Sequence, residues 1–279
     1  MPPLKGYIAD METTLRWCSF GSGDPLVLLH GLGTTSDDWA VLAPRLARTY
    51  RVLTVDLPGH GRSPALSGNP SVPAIADVIE SDLDALGLTK VHFLGNSLGA
   101  RLALELAARQ RALSVVALAP SGMGLPHERT YQTLLMGGAR VMLRTLHPLI
   151  EPLSHSRLGR TMLLSGLRAR PTRASAPEAR ALQAGFAEAV GFWRMLWWAV
   201  VADLPTGLDR VDCPVILAQG TRDLLSGGQT PRFLLNVPGS RFQPLLRSGH
   251  APQSDSPDEL VRLVHECTRR SQIPREVGT

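Results

Sequence analysis

Val91-His92-Phe93-Leu94-Gly95-Asn96-Ser97-Leu98-Gly99 is the stretch from which this chain is best read. A short apolar run enters the pentapeptide 95–99, and an Ala/Leu-rich run of helical character, residues 98–109, leaves it. Strand, tight turn and helix form the context that makes a G-x-S-x-G match specific. The reason is steric. A serine in so sharp a turn projects its Oγ clear of the sheet, and a Cβ at either flanking glycine would strike the neighbouring strand or helix. The helix that follows aims its first free N–H groups at the same spot, where negative charge is most easily held. Ser97 is therefore the point from which partners are sought.

The rest of the chain sets the bounds on that search. Its 279 residues suffice for one large domain with a well-buried core and an inserted subdomain. No run approaches twenty uninterrupted apolar residues, so no stable membrane insertion is expected. The first 23 residues carry scattered charge and no apolar core of signal-peptide length. Cys18, Cys213 and Cys267 lie far apart with no metal-type spacing, which reads as reduced thiols in a cytoplasmic protein and no metal site. The net charge of +5 comes almost entirely from arginine, with lysine only at Lys5 and Lys90. The arginines form neither a basic run nor a recognition-helix pattern, so nucleic acid is not an expected partner. A modest preference for anionic substrates or surfaces stays open, as does a homodimer.

Outward from Ser97, strand and helix signals alternate with short Gly/Pro joints. Residues 5–10 and 13–20 read as a hairpin, 25–30 as a buried strand, and 51–56 as the next. A helix carrying Trp39, Leu42 and Leu46 on one face is expected between those two strands, with Ser36 and two aspartates at its start. Residues 72–86 form an amphipathic helix, 91–94 and 113–119 strands. Near-continuously apolar strands separated by helices predict a parallel sheet covered on both faces. From 122 to 204 the rhythm becomes purely helical (130–146, 158–167, 178–201), broken by prolines. Strands at 214–219 and 241–246 and helices at 230–235 and 258–270 then resume. The predicted organisation is an α/β core of residues 1–121 and 205–279 interrupted by a helical cap, 122–204.

A serine hydroxyl needs a general base, and the base an orienting acid. On a parallel α/β sheet, reactive groups gather just after the strands. His250 follows the strand 241–246, and Asp223 follows the strand 214–219 in Gly220-Thr221-Arg222-Asp223. Asp255 and Asp212 are the substitutes for the acid. The order Ser97, Asp223, His250 is the one this architecture uses. Two backbone donors for an oxyanion are expected at Leu98, directly after the serine, and at Leu32 in His30-Gly31-Leu32-Gly33. His30 and His60 read as anchors of their own loops, and His92 as a core histidine. The turn Asp56-Leu57-Pro58-Gly59-His60-Gly61-Arg62-Ser63 reads as structural.

With residues 30–33, 56–63, 95–99, 220–223 and 249–250 in view, the chain resembles α/β-hydrolase-fold serine hydrolases along almost its whole length. The resemblance implies a mostly parallel eight-stranded sheet flanked by helices, a helical cap after the sixth strand, a Ser–Asp–His triad and no cofactor. It implies hydrolysis of a small-molecule substrate, best a small to medium, largely apolar carboxylic ester, thioester or lactone, through an acyl-enzyme. Gly95-Asn96-Ser97 is also similar to the nucleophile motif of hydrolases that cleave carbon–carbon bonds in dienoic diketones. The same motifs are compatible with cofactor-free haloperoxidase-like chemistry, with a non-hydrolytic biosynthetic step and with a ligand-binding role. A serine at position 97 argues against the epoxide hydrolases and haloalkane dehalogenases, which use a carboxylate there.

The variable cap supplies candidates for the substrate pocket. Phe186, Trp193 and Trp197 fall at spacings of seven and four, as on one helix face. Burial of this face against the core is the plainer reading; the sharper one makes Met136, Phe192, Trp193 and Trp197 pocket residues, with Met142 as a further contributor.

Overall fold

The computed structural model describes residues 13–272. Seven strands form one sheet: β1 (Trp17–Phe20), β2 (Pro25–Leu29), β3 (Arg51–Val55), β4 (Val91–Asn96), β5 (Ala112–Leu118), β6 (Val215–Gly220) and β7 (Arg241–Leu245). Their order is β1-β3-β2-β4-β5-β6-β7. β1 runs antiparallel to β3 and every other pairing is parallel. The resemblance implies eight strands; the strand predicted at 5–10 lies outside the described residues.

Alternation along the strands explains the two-sided burial. Val27, Leu29, Phe93, Val115 and Leu217 face one core, which also takes Ile75, Ile79 and Leu83 of α2 (Val72–Ala85) and Leu102 and Leu106 of α3 (Leu98–Ala108). Leu26, Leu28, Leu94, Val116 and Ile216 face the other, beneath Leu46 of α1 (Ala43–Leu46) and Leu260, Leu263 and Val264 of α10 (Pro257–Ser271). Each inner strand, β2 to β6, thus buries both rows of side chains, as a parallel sheet requires, whereas the edge strands β1 and β7 are only partly covered.

The expected helix after β2 is broken. A 3₁₀ turn, Ser36–Trp39, precedes the short α1, and the capping side chain is Thr35, which accepts from the Asp37 N–H, rather than Ser36. Trp39, Leu42 and Leu46 nonetheless reach the core together, so the apolar pattern holds although the helix is not continuous.

Between β5 and β6 the chain is helical: α4 (Pro126–Thr145), α5 (His147–His155), α6 (Arg157–Leu164), α7 (Ala176–Glu188) and α8 (Phe192–Leu196), then a π-helical turn, Trp197–Ala202. The stretch 178–201, expected as one helix, breaks at residues 189–191. Ala189 leaves helical geometry at φ −50 and ψ 116, Gly191 adopts φ +74, and the Val190 N–H is drawn to the Gly59 carbonyl at 2.8 Å. That break removes the premise that Phe186, Trp193 and Trp197 share one face. α9 (Thr230–Asn236) and α10 complete the fold. No described helix is long and apolar enough to cross a membrane.

Candidate active site

The direction of chain growth across the sheet reverses between β2 and β4. β3 and β1 lie outward of β2, and β5, β6 and β7 lie outward of β4. The crevice beyond the carboxyl ends of two such strands is where ligands bind in open α/β sheets. The loops that meet there are 30–33 and 96–98.

Ser97 occupies this point with φ 55 and ψ −112, in the positive-φ region that L-residues avoid. Its surroundings leave no other backbone path. A Cβ on Gly95 would lie 2.3 Å from the Gly99 carbonyl oxygen, and one on Gly99 would lie 2.1 Å from that of Leu29. Both glycines are therefore sterically required. The Ser97 N–H donates to the Leu118 carbonyl at 2.8 Å, pinning the turn to β5. α3 begins at Leu98, so its first amides have no partner within the helix.

Two buried histidines shape the loop opposite. His30 Nε2 accepts from the Leu57 N–H at 2.9 Å, while its Nδ1 lies 2.8 Å from the Gly31 carbonyl. His60 repeats the pattern, with Nε2 accepting from the Gly33 N–H at 2.9 Å and Nδ1 3.0 Å from the Pro58 carbonyl. A ring nitrogen that accepts from an amide carries no proton, so each imidazole is neutral and donates from Nδ1. Burial, reinforced by the neighbouring His30, pulls His60 down to about 3, and burial lowers His30 in the same direction. Both histidines are the loop anchors anticipated from sequence, and together they hold residues 30–33, with the Leu32 amide, against the turn 56–63.

Asp223 and His250 arrive from adjacent strands. Gly220 lets their loops touch: a Cβ there would sit 2.2 Å from the Gly249 carbonyl oxygen. The Arg222 N–H donates to the Ser248 carbonyl at 2.9 Å. His250 Nδ1 then lies 3.0 Å from Asp223 Oδ2. Burial alone would raise the Asp223 carboxyl, but the facing His250 and hydrogen bonds from His250 and Ser226 hold it well below the usual carboxylate range. An ionised carboxylate only accepts, so Nδ1 donates to Asp223 and Nε2 is the ring nitrogen not engaged with it.

The substitutes for the acid are occupied elsewhere. Asp255 accepts from the backbone N–H groups of Gly249, Ala169 and Arg170 at 2.8–2.9 Å, which makes it the clamp of the histidine loop. Asp212 is exposed.

Two further contributors are not evident from sequence. Ser226, buried, donates to Asp223 Oδ2 at 2.8 Å and lies 3.1 Å from His250 Nδ1, between the two groups. A serine three residues after the acid is a visible signal; the turn that brings it back is not. Asn96 donates through Nδ2 to the His250 carbonyl at 3.0 Å and to the Leu118 carbonyl at 3.3 Å, joining the serine turn directly to the histidine loop.

Ser97 and His250 open on one cavity of about 240 Å³. Gly31, Leu32 and Asn96 form its floor; Met136, Met142, Met162, Leu163, Leu182 and Phe186 supply most of its apolar wall. Met136 and Met142 thus stand where the sequence suggested. Phe192, Trp193 and Trp197 do not line it. Phe192 is buried edge-on against Phe186, with ring centroids 5.1 Å apart and the Arg140 guanidinium 4.9 Å above it. Trp193 and Trp197 are more than half exposed, because the break at 189–191 rotates them away from the cavity. Phe186 takes the inward place, packed over Gly33, where a Cβ would meet its ring at 2.2 Å. Among the described residues no three His, Cys, Asp or Glu side chains gather as a metal-ligand set.

The sequence matches the model of the alpha/beta hydrolase family over residues 26–263. The chain belongs to the α/β-hydrolase family. It is 31% identical over 261 residues to a pimeloyl-[acyl-carrier protein] methyl ester esterase of Aeromonas hydrophila, covering 88% of this chain and 95% of that one. It is 37% identical over 114 residues to a dihydrolipoyllysine-residue acetyltransferase component of an acetoin cleaving system of Pseudomonas putida; this match spans 39% of the chain and only 31% of that longer protein. Among solved structures, an enol-lactonase from Burkholderia xenovorans superposes with a TM-score of 0.75 at 22% identity, over 94% of this chain and 99% of that one. The chain is thus an enzyme of the hydrolase class on an α/β-hydrolase fold.

Proposed function

We propose that this chain is a serine hydrolase of small to medium, largely apolar carboxylic esters, thioesters or lactones. Ser97 is its nucleophile, His250 its base and Asp223 the orienting acid. The observation that carries the reading is the shared cavity: a serine held at positive φ and a histidine whose Nδ1 donates to Asp223 open on one apolar space.

The chemistry follows from the groups. Nε2 of His250 takes the Ser97 proton as Oγ adds to the carbonyl carbon. The carbonyl oxygen becomes an oxyanion facing the Leu32 and Leu98 amides, preset by His60 and by the start of α3. The imidazolium, stabilised by the Asp223 carboxylate, gives its proton to the departing alcohol or thiol as the acyl-enzyme forms. Water then loses a proton to the same Nε2, attacks the acyl carbon and releases the acid and Ser97. Acyl transfer of this kind needs no metal or organic cofactor. Residues 122–204 act as the cap that selects the acyl group, on a core of 1–121 and 205–279.

The esterase and the lactonase it resembles both take, by name, substrates with an ester-type carbonyl. Asn96 supports carbon–carbon cleavage less than its motif suggested, because its side chain is committed to two backbone carbonyls. Cys18 and Cys267 carry free thiols, which fits a reducing compartment, here the cytoplasm. The test combines a fluorophosphonate with short p-nitrophenyl esters. Stoichiometric labelling and turnover, both lost in Ser97→Ala, are expected. Labelling without turnover of any ester, thioester or lactone would overturn hydrolysis in favour of binding or non-hydrolytic chemistry, and turnover of a dienoic diketone alone would favour the carbon–carbon reading.

A further inference from the structure

Fourteen of the eighteen large hydrophobic side chains left exposed among the described residues lie between Leu125 and Leu204. The same stretch holds ten arginines against four glutamates and one aspartate, an excess equal to the +5 of the whole chain. The remainder of the molecule is electrically balanced. Arg140 and Arg168 are buried, but the other eight arginines still outnumber the five acids, so apolar exposure and positive charge coincide on one element of the fold, the helical segment over the cavity.

Their arrangement is directional. Leu134 and Val141, 70% and 56% exposed, lie two turns apart on α4, and Leu135 and Met142 form the adjoining row. Leu158 and Met162, 72% and 63% exposed, lie one turn apart on α6. Leu135, Met142 and Met162 also line the cavity, so the exposed apolar surface continues into it. Trp193, more than half exposed, lies beside a depression that it shares with Arg144, Arg194 and Glu188, the last facing His147. Arg144 and Arg157 are exposed, with no carboxylate paired to either among the described residues.

We propose that this face, formed by α4, the start of α6 and Trp193, docks on an anionic lipid surface, and that the cavity draws an amphiphilic substrate from it. Leucine and methionine side chains entering the boundary between headgroups and acyl chains gain apolar burial, and the arginines gain phosphate partners. A tryptophan ring suits the headgroup level. A second copy of this chain is a poor occupant, because a two-fold contact would set the positive excess against itself. Substrate uptake rests on the hydrolase reading; docking does not.

The experiment is co-sedimentation of the full chain carrying Ser97→Ala with phosphatidylcholine vesicles, alone or with about a third phosphatidylglycerol. The anionic vesicles are expected to bind it at least about tenfold more tightly than the neutral ones, with a blue shift of tryptophan emission. In the active chain, Leu134→Asp with Leu158→Asp should weaken that binding about tenfold or more while turnover of a water-soluble p-nitrophenyl ester is unchanged. Arg144→Glu with Arg157→Glu should abolish the preference for anionic vesicles. Absent binding, or binding indifferent to both pairs of substitutions, overturns the proposal. So does retention on an immobilised acidic carrier-type protein without vesicle binding, or a dimer dissolved by Leu134→Asp in a chain that ignores vesicles. Vesicle binding by a chain that turns over no ester would leave docking standing and sink the hydrolase reading instead.

Discussion

The loops at the carboxyl ends of the strands and the helical segment above them are held together by different physics. In the loops almost every position is determined twice. Gly95, Gly99 and Gly220 are sterically obligatory. Asp223 and Asp255 each accept backbone N–H groups, and His30 and His60 are neutral bridges between turns. The helical segment is joined to its surroundings by apolar packing of residues such as Phe186, Phe192 and Leu196, by single backbone links such as Val190 to Gly59, and by a few buried arginines. Arg101 reaches the Ala199 carbonyl at 3.0 Å, and Arg168 reaches that of Ala251 at 2.6 Å and Asp38 at 2.7 Å. Burial, only partly offset by Asp203, lowers Arg101 to about 10. Buried ion pairs of this kind recover little net stability once desolvation is counted. The lesson is a division of labour: the strand ends are built for one geometry, and the helical segment for adaptable apolar contact.

The sharpest way to break that division is at the strand ends. Ser97→Ala and His250→Ala should each reduce ester kcat/KM by about 10⁴-fold or more, because each removes the whole proton-transfer route. Asp223→Asn should cost about 10²–10⁴, since the imidazole keeps its place but loses the acceptor that fixes its tautomer. Asp255→Asn should act differently, lowering the melting temperature through the three amides it holds. Wild-type turnover in Asp223→Asn, with loss of turnover in a fully folded Asp255→Asn, would exchange the roles of the two acids.

Next in size is Ser226→Ala. Its hydroxyl sits between the carboxylate and Nδ1 without touching the cavity chemistry, so kcat should fall about tenfold with KM nearly unchanged. A change confined to KM would assign Ser226 to substrate binding instead.

His60 gives a prediction in pH. Its folded value of about 3 lies below the ordinary 6.5, so the unfolded chain takes up the proton first on acidification. Its contribution is complete above about pH 6.5 and is lost as pH falls toward 3, at up to about 1.4 kcal/mol per pH unit. His30 shifts in the same direction. Urea unfolding between about pH 6.5 and 5.5, above the range where most carboxylates titrate, should show this slope, and His60→Gln should flatten it. An equal slope in His60→Gln would remove the histidine from the account.

How much of this was legible follows the same division. The turn at Ser97, the meeting of Asp223 with His250 and the loop roles of His30 and His60 could be read because short-range sterics and strand-end placement decide them. Asp223 could be chosen over Asp255 by its place after a strand, although both lie in loops near His250. The continuous helix 178–201 could not be corrected from sequence. Its interruption depends on the Gly59 carbonyl, more than a hundred residues away, capturing the Val190 amide. Trp193 and Trp197 were misplaced for that reason alone, and the inward place of Phe186 depends on the open face of Gly33. Long-range backbone capture leaves no periodic trace.

The smallest expected effect tests the helical side of the comparison most directly. Met136 lines the cavity from α4, whereas Trp193 lies outside it on α8. A thioether is flexible, and its neighbours Met142, Leu163 and Leu182 can partly close the gap left by Met136→Ala. The substitution should therefore leave kcat for a short acyl ester nearly unchanged and improve kcat/KM for a longer one several-fold, because acyl-chain fit is read through apolar contact alone. Trp193→Ala should leave the chain-length profile as it was. Turnover of p-nitrophenyl acetate, butyrate and octanoate by the two variants separates the cases: if Trp193→Ala moved the profile and Met136→Ala did not, the exposed rim rather than the cavity wall would be the selecting surface, and the roles of these two faces would be reversed.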